Sequence, residues 1–292
     1  MGTSKQARLF GVLGDPIEHS LSPAMHNAAF AACDLPHLYL RHRVTPAELP
    51  AALADARRLG MGGLNLTVPL KETVLPLLDD VTPAARRIGA ANTLVFRGRR
   101  IVGDNTDGRG FVRSLRGHVQ LRGARVVVIG AGGSARAVAS ALLDAGCAGV
   151  NILNRTRARA EQLADRLGGA PAATVFPLRM LETGEVLVDA RLVVNTTSTG
   201  LTGATIATRF GAAPRDCLFV DLLYGPTPTP WRRAAARAGR PTLDGSGMLL
   251  HQGALAFEAW TQRPAPLAAM TRALGTAGLA LSHRAQPHSA RT

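Results

Sequence analysis

Of the 34 basic residues in this 292-residue chain only two are lysine, Lys5 near the start and Lys71 in the interior. Arginine almost everywhere else marks Lys71 as a place where an ammonium is wanted. Lysine can exchange a proton when its surroundings shift its pKa, whereas arginine effectively cannot. Lys71 closes the segment Asn65-Leu66-Thr67-Val68-Pro69-Leu70-Lys71, in which strand alternation points Asn65 and Thr67 the same way. Two more clusters hold more polar groups than a strand-to-helix junction needs. One is His19-Ser20-Leu21-Ser22-Pro23; the other is Asn92-Thr93 together with Asp104-Asn105-Thr106-Asp107. Serines bracketing one leucine either cap a helix or grip a hydroxylated or carboxylated small molecule. Ligands of open α/β sheets sit at the carboxyl ends of parallel strands, so the three clusters outline one polar cleft.

A second chemistry is written at Gly130-Ala131-Gly132-Gly133-Ser134-Ala135, directly after the apolar run Arg125 to Ile129 and before a helix-forming stretch. In that context GxGxxA is a dinucleotide-binding turn. Gly130 permits the turn, Gly132 lets backbone approach a pyrophosphate, and Ala135 keeps helix close to strand. The helix N-terminus then offers unpaired N–H groups and positive dipole to the phosphates. The following strand selects the cofactor. NAD-binding units carry Asp or Glu at its end, for the ribose 2′-OH. Here it ends Asn154-Arg155-Thr156, with Arg159 one turn further, so two guanidiniums flank a 2′-phosphate and the cofactor is NADP. Charge-assisted hydrogen bonds contribute about 1.5–3 kcal/mol each, so two of them favour NADP on the order of 100-fold or more.

These groups need elements to hold them. FGVLG reads as a strand, SPAMHNAAFAAC as a helix opened by Ser22 with Pro23 in its first turn, and LYLRHRV as a strand. PAELPAALADARRLG is an amphipathic helix ended by Gly60, GGLNLTV a strand, and KETVLPLL the start of another helix. NTLVFRGRRIVGDN predicts a β-hairpin turning at Arg97-Gly98. RVVVIG, VNILN, RLVVNT and CLFVDLL are β-rich runs separated by helix-length segments, and GSGMLLHQGALAFEAWTQ is apolar at helical spacing. The polar tail from about Ser282 is expected to be disordered. Repeated strand–helix alternation implies α/β architecture with largely parallel sheets.

Composition narrows the function class. No apolar run approaches the roughly 18 residues of a membrane span, and the N-terminus lacks the apolar core of a secretory signal, so the cytoplasm is the expected compartment. Cys33, Cys147 and Cys217 form no CxxC pair and no metal-ligand spacing with the histidines, so no metal is expected. A net charge of +14 raises the question of nucleic acid. The basic residues are dispersed, however, and aromatics make up only 4% of the chain, too few for a base-stacking surface.

The motifs GDPIEHSLSP, NLTVPLK, AANTL, GDNTDGRG, GAGGSARA, NRTRARA, NTTSTG, DLLYGPTPTP and DGSGMLLHQ stand in the order seen in the shikimate dehydrogenase family. The chain resembles that family from Gly11 to about Trp260. The resemblance implies two α/β domains: a substrate domain with a mainly parallel sheet (residues 1–106 plus 247–292) and a Rossmann-type NADP domain (107–246), with C-terminal helices returning to the first. It implies Lys71 and Asp107 as the catalytic pair and Ser20 and Ser22 as binders of the substrate carboxylate. Thr67, Asn92, Asp107, Tyr224 and Gln252 would reach ring hydroxyls. Gly130, Ala131, Gly132, Gly133, Ser134, Ala135, Asn154, Arg155, Thr156 and Arg159 would hold NADP, with Thr196, Thr197, Ser198, Leu222 and Gly245 along its nicotinamide half. The implied reaction is reduction of 3-dehydroshikimate to shikimate with NADPH, by a monomer or homodimer that binds a small molecule and neither nucleic acid nor membrane. Two positions depart from the pattern. Arg109 replaces a small apolar residue, and Pro83 stands where an acidic residue often follows Thr82.

The residues suit that chemistry. Hydride reduction of a ketone creates an alkoxide that an acid within hydrogen-bond reach must protonate. The Lys71 ammonium can supply the proton and Asp107 can orient it. Within the family a quinate/shikimate dehydrogenase or an enzyme for an amino-shikimate analogue shares these residues; outside it, a non-catalytic ligand-sensing regulator shares the fold. Retention of both Lys71 and Asp107 counts against the sensor. Arg155→Ala is expected to raise the KM for NADP far more than that for NAD. Equal losses for both cofactors would overturn the NADP reading.

Overall fold

The computed structural model describes residues 6–279, so Lys5 and the tail from Ser282 lie outside the described residues. The first half runs β1 (Leu9–Gly14), α1 (Ser22–Ala32), β2 (Leu38–Arg43), α2 (Leu49–Arg58), β3 (Gly63–Leu66), α3 (Leu70–Thr73), β4 (Asp80–Val81), α4 (Pro83–Ile88), β5 (Thr93–Arg97), β6 (Arg100–Asp104) and α5 (Asp107–Ser114). The second half runs β7 (Arg125–Ile129), α6 (Gly133–Asp144), β8 (Gly149–Leu153), α7 (Arg157–Arg166), β9 (Ala173–Phe176), α8 (Met180–Thr183), β10 (Ala190–Asn195), β11 (Leu218–Asp221), α9 (Pro230–Arg237), β12 (Thr242–Asp244), α10 (Ser246–Thr261) and α11 (Leu267–Thr276).

The described residues form two six-stranded sheets. The first has the order β2-β1-β3-β5-β6-β4 and is parallel except for β5, which runs antiparallel to both neighbours. The second has the order β12-β11-β10-β7-β8-β9 and is parallel throughout. In each the chain winds outward one way, then returns to wind the other way: from β1 to β2 and back to β3, and from β7 through β9 and back to β10. Such switch points leave a crevice at the strands' carboxyl ends. The apolar runs explain the layering. Val126 and Val128 face one layer with Val138 and Leu142, and Val127 and Ile129 face the other with Phe219 and Trp231.

Three local expectations shift. The hairpin turns at Gly98-Arg99, because Arg97 pairs with Arg100 and Gly98 takes the positive φ of 61° that a two-residue loop requires. The helix from KETVLPLL is a single turn, α3, followed by a 3-10 turn at Leu75–Leu77. Pro76 has no amide to donate and disfavours helical backbone before it. Ser22 opens α1 but makes no capping hydrogen bond.

Helix α5 ties the two halves together, packing against α6 on one side and α10 on the other. The approach is backbone to backbone. A Cβ at Gly108 would fall 2.2 Å from the Ala137 carbonyl oxygen, and one at Gly110 would fall 2.5 Å from the Gln252 nitrogen. Helices α10 and α11 then pack on α1 beneath the first sheet.

One core residue there is ionisable. His26 is fully buried, stacked 4.4 Å from Tyr39 and near Trp260, and neither ring nitrogen has a hydrogen-bond partner among the described residues. Burial pulls its pKa from 6.5 down to about 3. The unfolded chain therefore takes up a proton below pH 6.5 that the folded chain refuses until about pH 3. The stabilisation is complete above that window and lost through it, by up to about 1.4 kcal/mol per pH unit. Urea titrations from pH 7.5 to 4 are expected to show a shallower fall in stability for His26→Phe than for the parent. Parallel curves would contradict this.

Candidate active site

The turn of α3 and the first turn of α5 bring Lys71 and Asp107 together. Lys71 Nζ donates to Asp107 Oδ2 at 2.6 Å, with side-chain exposures of 13% and 5%. The other carboxylate oxygen, Oδ1, accepts from Asn92 Nδ2 at 2.7 Å. Both oxygens are fixed, and the charge sits at a helix N-terminus, where it is favoured. The ammonium's remaining N–H groups meet no acceptor among the described residues. Asn92 is the hub. Its amide also donates to Thr106 Oγ1 (3.0 Å) and Gln252 Oε1 (3.3 Å), and its carbonyl oxygen accepts from the Thr106 N–H at 2.8 Å.

The network continues inward. Asn65 donates to the Asn92 carbonyl (3.0 Å) and Thr93 Oγ1 (3.1 Å) and accepts from the Tyr39 hydroxyl at 2.8 Å. Burial keeps the Tyr39 phenol protonated well above its ordinary range. A continuous polar path thus joins Tyr39 to Lys71. Ser22 is buried in the first turn of α1, and Ser20 is half-buried beside it, its Oγ 3.4 Å from the Ser22 N–H. Thr67, just past β3, has its methyl against Gly14 and a hydroxyl without a partner among the described residues. Tyr224 is not drawn into the cluster. It is 37% exposed in the loop after β11, lining a surface cavity of about 340 Å³ with Leu201, Pro228 and Arg233.

The second crevice opens between β7 and β10. Gly130 adopts φ +118°, and a Cβ there would fall 2.3 Å from Thr196 Oγ1, so only glycine permits this turn. Ala131 and Ala135 are buried, and Gly132, at the N-cap of α6, faces open space. Gly133 and Ser134, half-buried, complete the first turn. Asn154 donates to the Thr156 carbonyl at 2.8 Å, shaping the bend after β8. Arg155 and Arg159 are exposed there, with no carboxylate partner among the described residues, whereas Arg157 is engaged by Glu161 at 2.7 Å. Thr197 Oγ1 bonds Asn195 at 2.8 Å, Ser198 is exposed beside it, and Gly245 lies against the Leu222 carbonyl. An open glycine turn and two uncommitted guanidiniums fit a phosphorylated dinucleotide. The crevices meet: a Cβ at Gly133 would fall 3.7 Å from Lys71 Cβ.

Comparison with known proteins gives this arrangement a family. Residues 12–94 match the profile described as shikimate dehydrogenase substrate binding domain, 113–222 that of shikimate / quinate 5-dehydrogenase, and 245–274 that of the shikimate 5'-dehydrogenase C-terminal domain. A shikimate dehydrogenase (NADP(+)) of Symbiobacterium thermophilum is 46% identical over 274 residues, covering 91% of this chain and 93% of its own. The chain belongs to the shikimate dehydrogenase family. Among solved structures, shikimate dehydrogenase from Aquifex aeolicus aligns with a TM-score of 0.85 at 35% identity, over 94% of this chain and 99% of that one. Shikimate 5-dehydrogenase from Thermus thermophilus in complex with NADP(H) and shikimate aligns with 0.81 at 40% identity, over 92% and 99%.

In this member of the shikimate dehydrogenase family the two departures from pattern have structural uses. Arg109 forms an ion pair with Asp104, and Pro83 takes the first turn of α4 behind its cap Thr82. Sequence reasoning passed over Tyr39, Glu72 and Arg136. Tyr39 is one of only two tyrosines, which is the signal that could have found it. Arg136 pairs with Glu72 at 3.1 Å, and in an arginine-rich chain nothing marks it.

The hub's share in stability can be measured. Asn92→Leu leaves the Thr106 N–H and Asp107 Oδ1 buried without their partner, at about 1–3 kcal/mol per group. Urea unfolding is expected to show a loss of at least about 2 kcal/mol; a loss below about 0.5 kcal/mol would mean that the network adds little.

Proposed function

We propose that the protein is a cytoplasmic NADP-dependent shikimate dehydrogenase that reversibly reduces 3-dehydroshikimate to shikimate. The observation that carries this is the Lys71 ammonium, held at 2.6 Å by Asp107 beside the glycine turn, with its other protons uncommitted. Residues 1–106 plus 247–292 hold the substrate and residues 107–246 the cofactor. Ser20 and Ser22 take the carboxylate, while Thr67, Asn92, Asp107 and Gln252 take ring hydroxyls; Tyr224, which stands outside this cluster in the loop after β11, is assigned a ring hydroxyl on the family resemblance alone. The Gly130–Ala135 turn holds the pyrophosphate, and Arg155 and Arg159 bind the 2′-phosphate, with Asn154 and Thr156 shaping their loop. Thr196, Thr197, Ser198, Leu222 and Gly245 line the nicotinamide half.

Bound NADPH supplies the hydride. Lys71 donates a hydrogen bond to the substrate's carbonyl oxygen, stabilises the charge that grows there, and delivers the proton. Asp107 orients the ammonium and substrate hydroxyl alike, and Asn92 prevents the carboxylate from rotating. In the oxidative direction neutral lysine takes the hydroxyl proton. The relatives' names, the uncommitted arginines and the Lys71–Asp107 pair all support this reading.

The test crosses shikimate and quinate with NADP and NAD, following reduced cofactor at 340 nm. Turnover of shikimate with NADP, and little otherwise, is expected; preference for quinate with NAD would replace the proposal. Lys71→Ala is expected to lower kcat by about 10²–10⁴ with shikimate binding largely kept, and near-normal turnover would remove Lys71 from the chemistry.

A further inference from the structure

Helix α3, which carries Lys71, is four residues long, and one turn of helix does not sustain itself. Its orientation is set from outside. On one side Leu70 and Val74 are buried in the first domain's core, and the Ala91 N–H donates to the Lys71 carbonyl at 2.8 Å. On the other side the contact belongs to the second half of the chain: Glu72 Oε2 lies 3.1 Å from Arg136 Nη1, in the first turn of α6.

This ion pair differs from most others in the molecule. Arg43, Arg58, Arg86 and Arg157 pair with carboxylates while at least 63% exposed, but the Arg136 side chain is only 16% exposed and its Nε is buried with no acceptor among the described residues. Long exposed pairs contribute little; a guanidinium withdrawn from water needs the partner it has. The pair also stands where the two crevices meet, since a Cβ at Gly133 would fall 3.8 Å from both Glu72 Oε1 and Lys71 Cδ. Along the same face, Arg87 of α4 reaches Ser140 and Asp144 of α6, and Ile88 and Ala90 pack on Ala137.

We propose that Arg136, through Glu72, is a positioning residue that fixes the Lys71 turn against the cofactor loop. The helix whose N-terminus holds the pyrophosphate thereby also sets where the proton donor stands, so the hydride and proton arrive in register. The inference rests on the dehydrogenase reading, and Arg136 acts without touching substrate.

The experiment is a double-mutant cycle in the full chain with Glu72→Gln, Arg136→Met and both together. It is read by kcat, by both KM values, and by hydrogen exchange of the cofactor-free protein. Each single variant is expected to lower kcat about ten- to a hundredfold, the scale of a small misplacement of a reacting group, with KM for shikimate little changed. The double variant should be no slower than the worse single, and Arg136→Lys, which keeps the charge, should recover most of kcat. In the cofactor-free protein, exchange over Leu70–Val74 should quicken in both singles while that of α10 stays as in the parent. Multiplying effects in the double variant would overturn the proposal. So would unchanged exchange over Leu70–Val74, or a rise only in KM for NADP, which would make Arg136 a phosphate ligand. A parent that turns over neither shikimate nor quinate would sink the functional reading instead, while the exchange measurement would still decide the pairing.

Discussion

Taking a lysine and an aspartate almost out of water costs several kcal/mol for each ion, and their mutual attraction repays that cost only when further hydrogen bonds satisfy the pair. Lys71 and Asp107 meet that condition on the carboxylate side alone: Asn92 holds one oxygen, Lys71 the other, and the α5 N-terminus lies beneath. The ammonium side is left unfinished. Much of the first domain can be read as the scaffold that this imbalance requires. Asn92 must sit at the start of β5, Asn65 in the middle of β3 must brace it, and Tyr39 on β2 must brace Asn65. A neutral core at these positions would pack more simply and leave Asp107 free to turn away.

The two sheets serve the same end by different routes. The second is an all-parallel sheet whose switch point lies between Gly130 and Thr196. The first carries one antiparallel strand, β5, and that reversal places Asn92 at the strand's entry, beside the exit of β6 that leads to Asp107. Were β5 parallel to β6, the start of β5 and the exit of β6 would lie at opposite ends of the strands.

Much of this was legible in the residues because the signals are local. Arg125 to Ala135 reads as strand, turn and helix within eleven positions, and the polar clusters stand at strand ends where the alternation stops. What escaped is non-local or too short to show a period. β4, β9 and β12 have two to four residues. The pairing of Tyr39 with Asn65 spans 26 positions and that of Asn92 with Gln252 spans 160. Glu72 and Arg136 look like ordinary surface charges until the fold buries one against the other. Ser22 could have been a helix cap or a ligand grip; Leu21 takes the N-cap position of α1 and Ser22 is buried without capping it, which no local spacing could decide.

Gly108 and Gly110 carry no functional group, yet they govern how far this sequence can drift. A methyl at either would strike main chain rather than a side chain that could swing aside. No compensating change of a neighbour's type would relieve it; an entire helix would have to move, taking Asp107 with it. A polar side chain at the cleft, such as Thr67, can be exchanged and its loss offset nearby. The least negotiable positions in this catalyst are therefore two that take no part in its chemistry.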